Sequence, residues 1–184
     1  MNTLKAEKRS MDVKAKKLRR EGYVTGNLFG REIEGSIPLK FTKKEIEVLL
    51  KNNNKGSQVM LELDGKTYDA LIKEVDYNPL AHTVEEVDFQ ALVSNEMVHS
   101  VAEIILENEE MVVSGVLQDE LKEVAYKALP ADLVDKIKVD VAGMKIGDTL
   151  RVKDLEIAKN KNIHITTDLE SVIATVTPVH NVVP

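Results

Sequence analysis

The sequence predicts a mainly β protein with short helices, an α+β chain of two domains. Three observations point there. Apolar residues alternate in short runs, as in Val59, Leu61, Leu63 and again Ile137, Val139, Val141, which is the period of a half-buried strand. Turn signals separate these runs, among them Asp64-Gly65, Asn78-Pro79 and Gly147-Asp148. Charge divides the chain as well. Residues 1–90 carry 16 basic and 15 acidic side chains, and residues 91–184 carry 9 and 16. Two domains with different partners are expected, over 1–92 and 93–178, with 179–184 as a tail.

Thr3 to Ser10 reads as an extended segment. Asp12 then stands where a helix cap is expected, for a helix running to about Glu21 and stopped by Gly22. Its cations spread around the helix and leave Ala15 and Leu18 as a thin apolar anchor. Residues 23–30 read as a strand or bent strand in which Gly26 marks a bulge or a close backbone approach. Thr42-Lys43-Lys44-Glu45 is a capping box, with Phe41 and Ile46 at the staple positions. The spacing predicts a helix over 43–52, ended by the loop Asn52–Gly56.

Val59–Leu63 and Lys66–Val75 form a hairpin across Asp64-Gly65, and Val84, Val87 and Phe89 belong to a further strand. Beyond Leu92 the pattern is mainly extended. Short segments at 149–152 and 163–165 lie between turns at Gly143, Gly147-Asp148 and Asn160–Asn162, and Val172–Val176 is a late strand.

Cysteine is absent, which excludes disulfides and thiolate-held zinc and suits a reducing compartment. The start is charged throughout and lacks the apolar core of a secretory signal. No apolar run approaches the roughly 20 residues that span a bilayer. A cytoplasmic protein without a membrane partner is expected. Phosphate-binding loops, dinucleotide fingerprints and nucleophile elbows do not occur. His82, His99, His164 and His180 share no metal-site spacing, and Glu85-Glu86 and Glu107/Glu109/Glu110 read as solvated carboxylate faces. No enzyme, metal or cofactor is expected.

The strongest feature is basic. Lys14, Lys16, Lys17, Arg19 and Arg20 fall within seven residues, and with Lys5, Lys8 and Arg9 they make residues 1–20 cationic in a chain of net charge −6. Such a segment is either solubilising surface or a contact for a polyanion. Only four tyrosines and three phenylalanines are available for base stacking, so folded, duplex-like RNA held by phosphates and shape fits better than single strands or DNA.

The run Lys16-Lys17-Leu18-Arg19-Arg20-Glu21-Gly22, closing at Phe29-Gly30, resembles the N-terminal motif of bacterial large-subunit ribosomal protein twenty-five, the general stress protein CTC family. Lys73-Glu74-Val75, Asn78-Pro79 and Val87-Asp88-Phe89 resemble its second motif. Leu129–Leu133, Val139–Met144, Ile146–Leu150 and Val152–Leu155 resemble its C-terminal domain. The resemblance implies an N-terminal β-barrel-like domain that binds 5S ribosomal RNA at loop E within the large subunit, and a C-terminal β-rich domain. By motif match Lys16, Lys17, Arg19 and Arg20 grip phosphates and Asp88 accepts a hydrogen bond from a base or ribose. Arg9 and Lys14 extend the basic contact, and Phe29 stands where the family has a tyrosine.

The chain also departs from the family pattern. Met11-Asp12-Val13 stands in place of Gly-Lys-Gly, and Val24–Asn27 in place of Ile-Pro-Ala-Val. Asp76-Tyr77 replaces a Gln-Arg pair, and Glu86 replaces a histidine. Each of the last two changes adds a carboxylate. Losing a charge-assisted hydrogen bond costs about 1.5–3 kcal/mol. The alternative expectation is therefore a diverged, stress-associated paralogue that serves as a protein-interaction module.

Overall fold

A computed structural model describes residues 3–112 and 114–179. The chain divides into two compact units, Met1–Val98 and His99–Pro184. In the first, β1 (Thr3–Lys8), α1 (Ala15–Arg20), β2 (Tyr23–Phe29), β3 (Ser36–Thr42), α2 (Lys43–Leu50), β4 (Gln58–Leu63), β5 (Lys66–Asn78) and β6 (Thr83–Ala91) follow in order. The six strands form a closed barrel in the order β1-β3-β2-β6-β5-β4. Closure depends on β1. Its first residues pair in parallel with β4, from Thr3 opposite Met60 to Ala6 opposite Leu63, and its last two pair antiparallel with β3. Closing the ring leaves no free sheet edge.

Alternation fills the barrel. Val59, Leu61 and Leu63 point inward with Leu4, Leu28, Leu39, Ile72, Val87 and Phe89, and the rings of Phe41 and Phe89 meet at 5.5 Å. At Gly26 the backbone of β2 runs close against β6. A Cβ there would sit 2.0 Å from the Val87 carbonyl oxygen, so the close backbone approach expected from sequence is real. The parallel pairing of these strands is correspondingly interrupted between Thr25/Glu86 and Leu28/Phe89.

The capping box forms as expected. The Thr42 hydroxyl accepts from the Glu45 amide, Glu45 accepts from the Thr42 amide, and Ile46 and Leu49 are buried. α2 ends at Leu50, two residues short of the reading, where Asn53 donates its side-chain amide to the Leu49 carbonyl. Asp64 and Gly65 both take positive φ, 49° and 76°, as a two-residue hairpin demands. The expected Asp12 cap does not occur. Asp12 exchanges hydrogen bonds with Ser10 in a local turn, and α1 begins three residues later behind Lys14, with no side-chain cap. β3 was missed because Pro38 and the polar stretch around Gly35 hide the alternation of Ile37, Leu39 and Phe41.

The second unit is built from β7 (Val98–Glu107), β8 (Val116–Asp119), β9 (Glu123–Ala128), β10 (Lys136–Asp140), β11 (Thr149–Arg151), β12 (His164–Ile165) and β13 (Val172–Thr177). They form two open sheets, β10-β7-β9-β12 and β11-β13-β8, so the chain is mainly β with short helices. The alternation read at 137–141 places Ile137 and Val141 inside, with Lys136, Lys138 and Asp140 outside. Tyr126 is fully buried. Its hydroxyl donates to the Val134 carbonyl and accepts from the Val134 amide, both at 2.7 Å, and burial pushes its pKa up from the ordinary value. The expected tail at 179–184 lies, apart from Val179, outside the described residues.

Candidate nucleic-acid interface

α1 is too short and too charged to hold itself, since isolated helices of this length are unstable in water. Leu18, its one buried residue, pins it to the barrel. Gly22, at φ 90°, turns the chain into β2, and its carbonyl accepts from the Lys43 amide at 3.1 Å. That bond brings the start of α2 beside the end of α1.

The five cations of the basic segment are then sorted by direction. Arg19 turns to the barrel wall. Its Nε donates to the Glu85 carbonyl at 3.1 Å, and one terminal nitrogen reaches Thr25 Oγ1 at 3.3 Å and Glu86 Oε2 at 3.0 Å. The other lies 3.4 Å from Glu85 Oε2. The Glu85-Glu86 pair, read as a solvated face, is thus the clamp on this arginine. Lys16 and Arg20, four apart and so on one helix face, point elsewhere. Together with Lys43, Tyr23, Thr83, Val84, Ala81, Arg19 and Glu85 they line a cleft of about 510 Å³. Lys16, Arg20 and Lys43 make no ion pair among the described residues. Lys14 is exposed at the helix start, and Lys17 has only a long 3.9 Å pair with Glu21. Arg9 follows β1, where its Nε is buried without a hydrogen-bond partner.

The sheet beside α1 carries the other expected residues. Asn27 donates its backbone amide (2.9 Å) and its side chain (3.0 Å) to Asp88 Oδ1, and its side chain also reaches Glu86 Oε1 at 3.3 Å. Asp88 is therefore already an acceptor within the barrel. Asp76 sits directly opposite Glu86, and Glu74 directly opposite Asp88. Like charges so placed repel. Arg19 and Asn27 offset the charge on Glu86, and Lys55 pairs with Glu74 at 3.3 Å. Phe29, half-buried, ends β2 opposite Ser36 and Gln90. Tyr77 is exposed near the hairpin tip, with its hydroxyl 3.3 Å from His82 Nδ1.

Sequence reasoning missed Tyr23, Thr25, Asn27, Lys43 and Glu85. Lys43 was visible only as a capping-box position, and nothing in the sequence placed it near residue 20. Lys40 lies 4.9 Å over the Tyr23 ring. The hydrogen bond from Lys40 to Glu7 raises its pKa above the ordinary lysine value. Among the described residues no group of acidic, histidine or cysteine side chains is arranged to hold a metal ion. No helix is long and apolar enough to cross a membrane.

Residues 4–89 match the model of the Ribosomal L25p family, and residues 97–180 match that of the ribosomal protein TL5 C-terminal domain. The large ribosomal subunit protein bL25 of Carboxydothermus hydrogenoformans is 33% identical, over 91% of this chain and 87% of its own length. Those of Akkermansia muciniphila and Bacillus velezensis are 31% and 30% identical, over 91% and 97% of this chain and 83% and 89% of their own.

Proposed function

The chain belongs to the Ribosomal L25p family, and on that premise we propose that it is a non-catalytic constituent of the large ribosomal subunit in the bacterial cytoplasm, bound to 5S ribosomal RNA through its N-terminal unit. The observation that carries the reading is the basic segment 14–20. It is held as a helix against the barrel wall with Lys14, Lys16 and Arg20 unpaired among the described residues. Unpaired, exposed cations on a fixed element position a protein on phosphates. In this reading Asp88, Glu86, Asp76, Tyr77 and Phe29 take the base and groove contacts, and Arg9, Lys17 and Arg19 add to the phosphate contacts.

A gel shift with the loop E fragment of 5S ribosomal RNA across a salt series, beside co-sedimentation with large subunits, tests this. Binding is expected to fall with salt at a log–log slope of roughly −0.7 to −0.9 per phosphate neutralised. Absence of binding at low salt sinks the reading.

One observation favours the second reading, a paralogue that has lost specific RNA recognition: Asp76 and Glu86, both departures from the family pattern, face each other on the sheet beside α1. Restoring the family's residues by Asp76→Gln, Tyr77→Arg, Glu86→His and Phe29→Tyr separates the two. Under the second reading the restored variant gains RNA affinity that the native chain lacks. Equal affinity of the two proteins removes it.

A further inference from the structure

We propose that the open edge of β10, in the second unit, takes up an extended basic segment of another protein as an added strand. The proposal concerns a different unit from the RNA reading above and does not depend on it.

β10 ends its sheet, with β7 on one side and no strand on the other. The Glu103 amide donates to the Asp135 carbonyl at 2.8 Å and the Val141 amide to the Glu107 carbonyl at 3.0 Å, so in this parallel ladder the odd-numbered residues of 135–141 bond β7. The backbone N–H and C=O groups of Lys138 and Asp140 therefore point to the open side, where they meet no backbone partner among the described residues. Exposed edges are usually guarded by a proline, a bulge or an outward charge. β10 has no proline, and its register with β7 is unbroken. Lys138, on the outer face, is drawn back across β7 onto Glu107 Oε1 at 2.6 Å.

The open side faces a groove of about 670 Å³ between β10 and the turns Val152–Asp154 and Glu156–Lys159. Its floor is apolar. Ile137, Leu155, Ile157 and Ile163 are buried there, while Val134 and Val139 are only half-covered. Side chains of an added strand alternate, so every second one continues the inner face of the sheet over Val139 and the floor. Both walls belong to this unit, a geometry that admits a single strand rather than the edge of another folded sheet.

Charge selects the occupant. Asp140, Asp154 and Glu156 rim the groove, and none of them is in an ion pair among the described residues. Asp140 accepts from the Asn108 side chain and the Ala142 amide, which hold its carboxyl below the ordinary value, and Asp154 accepts from the Arg151 amide. The neighbouring cations are engaged elsewhere, Lys138 with Glu107 and both Arg151 and Lys153 with Glu170. Lys136 also lines the groove and is outnumbered by the three carboxylates. With 9 basic and 16 acidic side chains over residues 91–184, a nucleic acid or a second copy of this unit meets a repulsive field. A strand that alternates apolar residues with lysine or arginine satisfies the floor, the rim and the open backbone groups together.

The test is an NMR titration with amide exchange on the full chain, using two peptides of about eight residues, the length of an ordinary strand. One alternates lysine with valine and the other glutamate with valine. The lysine peptide is expected to slow exchange of the Lys138 and Asp140 amides about tenfold or more, while the Ile137 and Val139 amides, already bonded to β7, change little. Lys138→Pro removes one outward amide without touching the β7 ladder and is expected to weaken binding about tenfold. Glu156→Lys, at an exposed position, should weaken it about threefold, with Glu47→Lys in the first unit unchanged. Thermal melting checks each variant, and should Lys138→Pro fail to fold, Glu156→Lys and the alternating exchange pattern decide.

Equal binding of the glutamate peptide overturns the basic partner, and so does full binding by Glu156→Lys. A bound lysine peptide that leaves the Lys138 and Asp140 amides unprotected overturns strand addition. Protection that rises with protein concentration alone assigns the edge to a second copy, and protection by an RNA duplex assigns it to nucleic acid. Either result overturns the proposal, as does failure of both peptides to bind.

Discussion

On the side of α1 that faces β6, Arg19 reaches Glu85, Glu86 and Thr25, so its charge is spent inside the protein. On the side that faces α2, Lys16 and Arg20 reach no carboxylate among the described residues. Arg19 and Arg20 are adjacent in sequence, yet a helix turns about 100° per residue and sends them to different surroundings. The pair teaches that a run of cations is not one site. Part of it cross-links the fold, and part of it remains available to a polyanion.

The sharpest way to break this comparison is to spoil the wall against which Arg19 packs. Gly26→Ala places a Cβ on the Val87 carbonyl, an approach that only a shift of β2 away from β6 relieves. A loss of about 3 kcal/mol or more is expected in urea unfolding of the native and variant proteins. A loss under about 1 kcal/mol would show that the two strands separate easily, and that Arg19 is not held by a rigid wall.

Next in size is Arg19→Ala, which leaves Glu85 and Glu86 without their shared cation, with Asp76 directly opposite Glu86. The expected cost is about 1–2 kcal/mol of stability, because these groups are only partly exposed and the bonds are charge-assisted. Its effect on RNA binding, once the fold is accounted for, should be smaller than that of Arg20→Ala. The reverse order in the binding assay would show that Arg19 carries the stronger phosphate contact.

Thr42→Ala acts on the other side. It removes the hydroxyl that accepts from the Glu45 amide at the start of α2, at a cost of about 1 kcal/mol. Because Lys43 is the first residue of that helix, fraying there loosens one wall of the cleft. A reduced salt slope for RNA in Thr42→Ala, with Lys43 still present, would show that Lys43 acts from a fixed position.

How much of this was legible in the sequence follows from the range of the forces involved. The capping box at Thr42–Glu45, the Asp64-Gly65 turn and the alternation at 59–63 and 137–141 are set by neighbours a few residues away, and each formed as read. Gly26 was legible as a close approach, although its partner Val87 was not. The Asp12 cap failed because Ser10 offers Asp12 a nearer bond. The basic segment was legible as a polyanion contact, but its division between Arg19 and Arg20 was not. That division depends on Glu85 and Glu86, more than sixty residues away, and on a barrel whose β3 lay hidden behind Pro38. Lys43 escaped for the same reason, since only the folded turn at Gly22 brings it to α1.

The smallest expected effect decides most about the comparison. Arg20 is exposed and makes no ion pair among the described residues, so Arg20→Ala removes no contact the fold depends on. It also replaces a good helix former with a better one and relieves the repulsion from Lys16. Its stability should therefore lie within about 0.5 kcal/mol of the native protein, and any change should be toward greater stability, most visibly at low salt. A destabilisation near that of Arg19→Ala would mean that Arg20 carries structural load as well, and the cleft would lose its unengaged arginine. Unchanged or raised stability, combined with weakened RNA binding, is what a charge kept for an external partner requires.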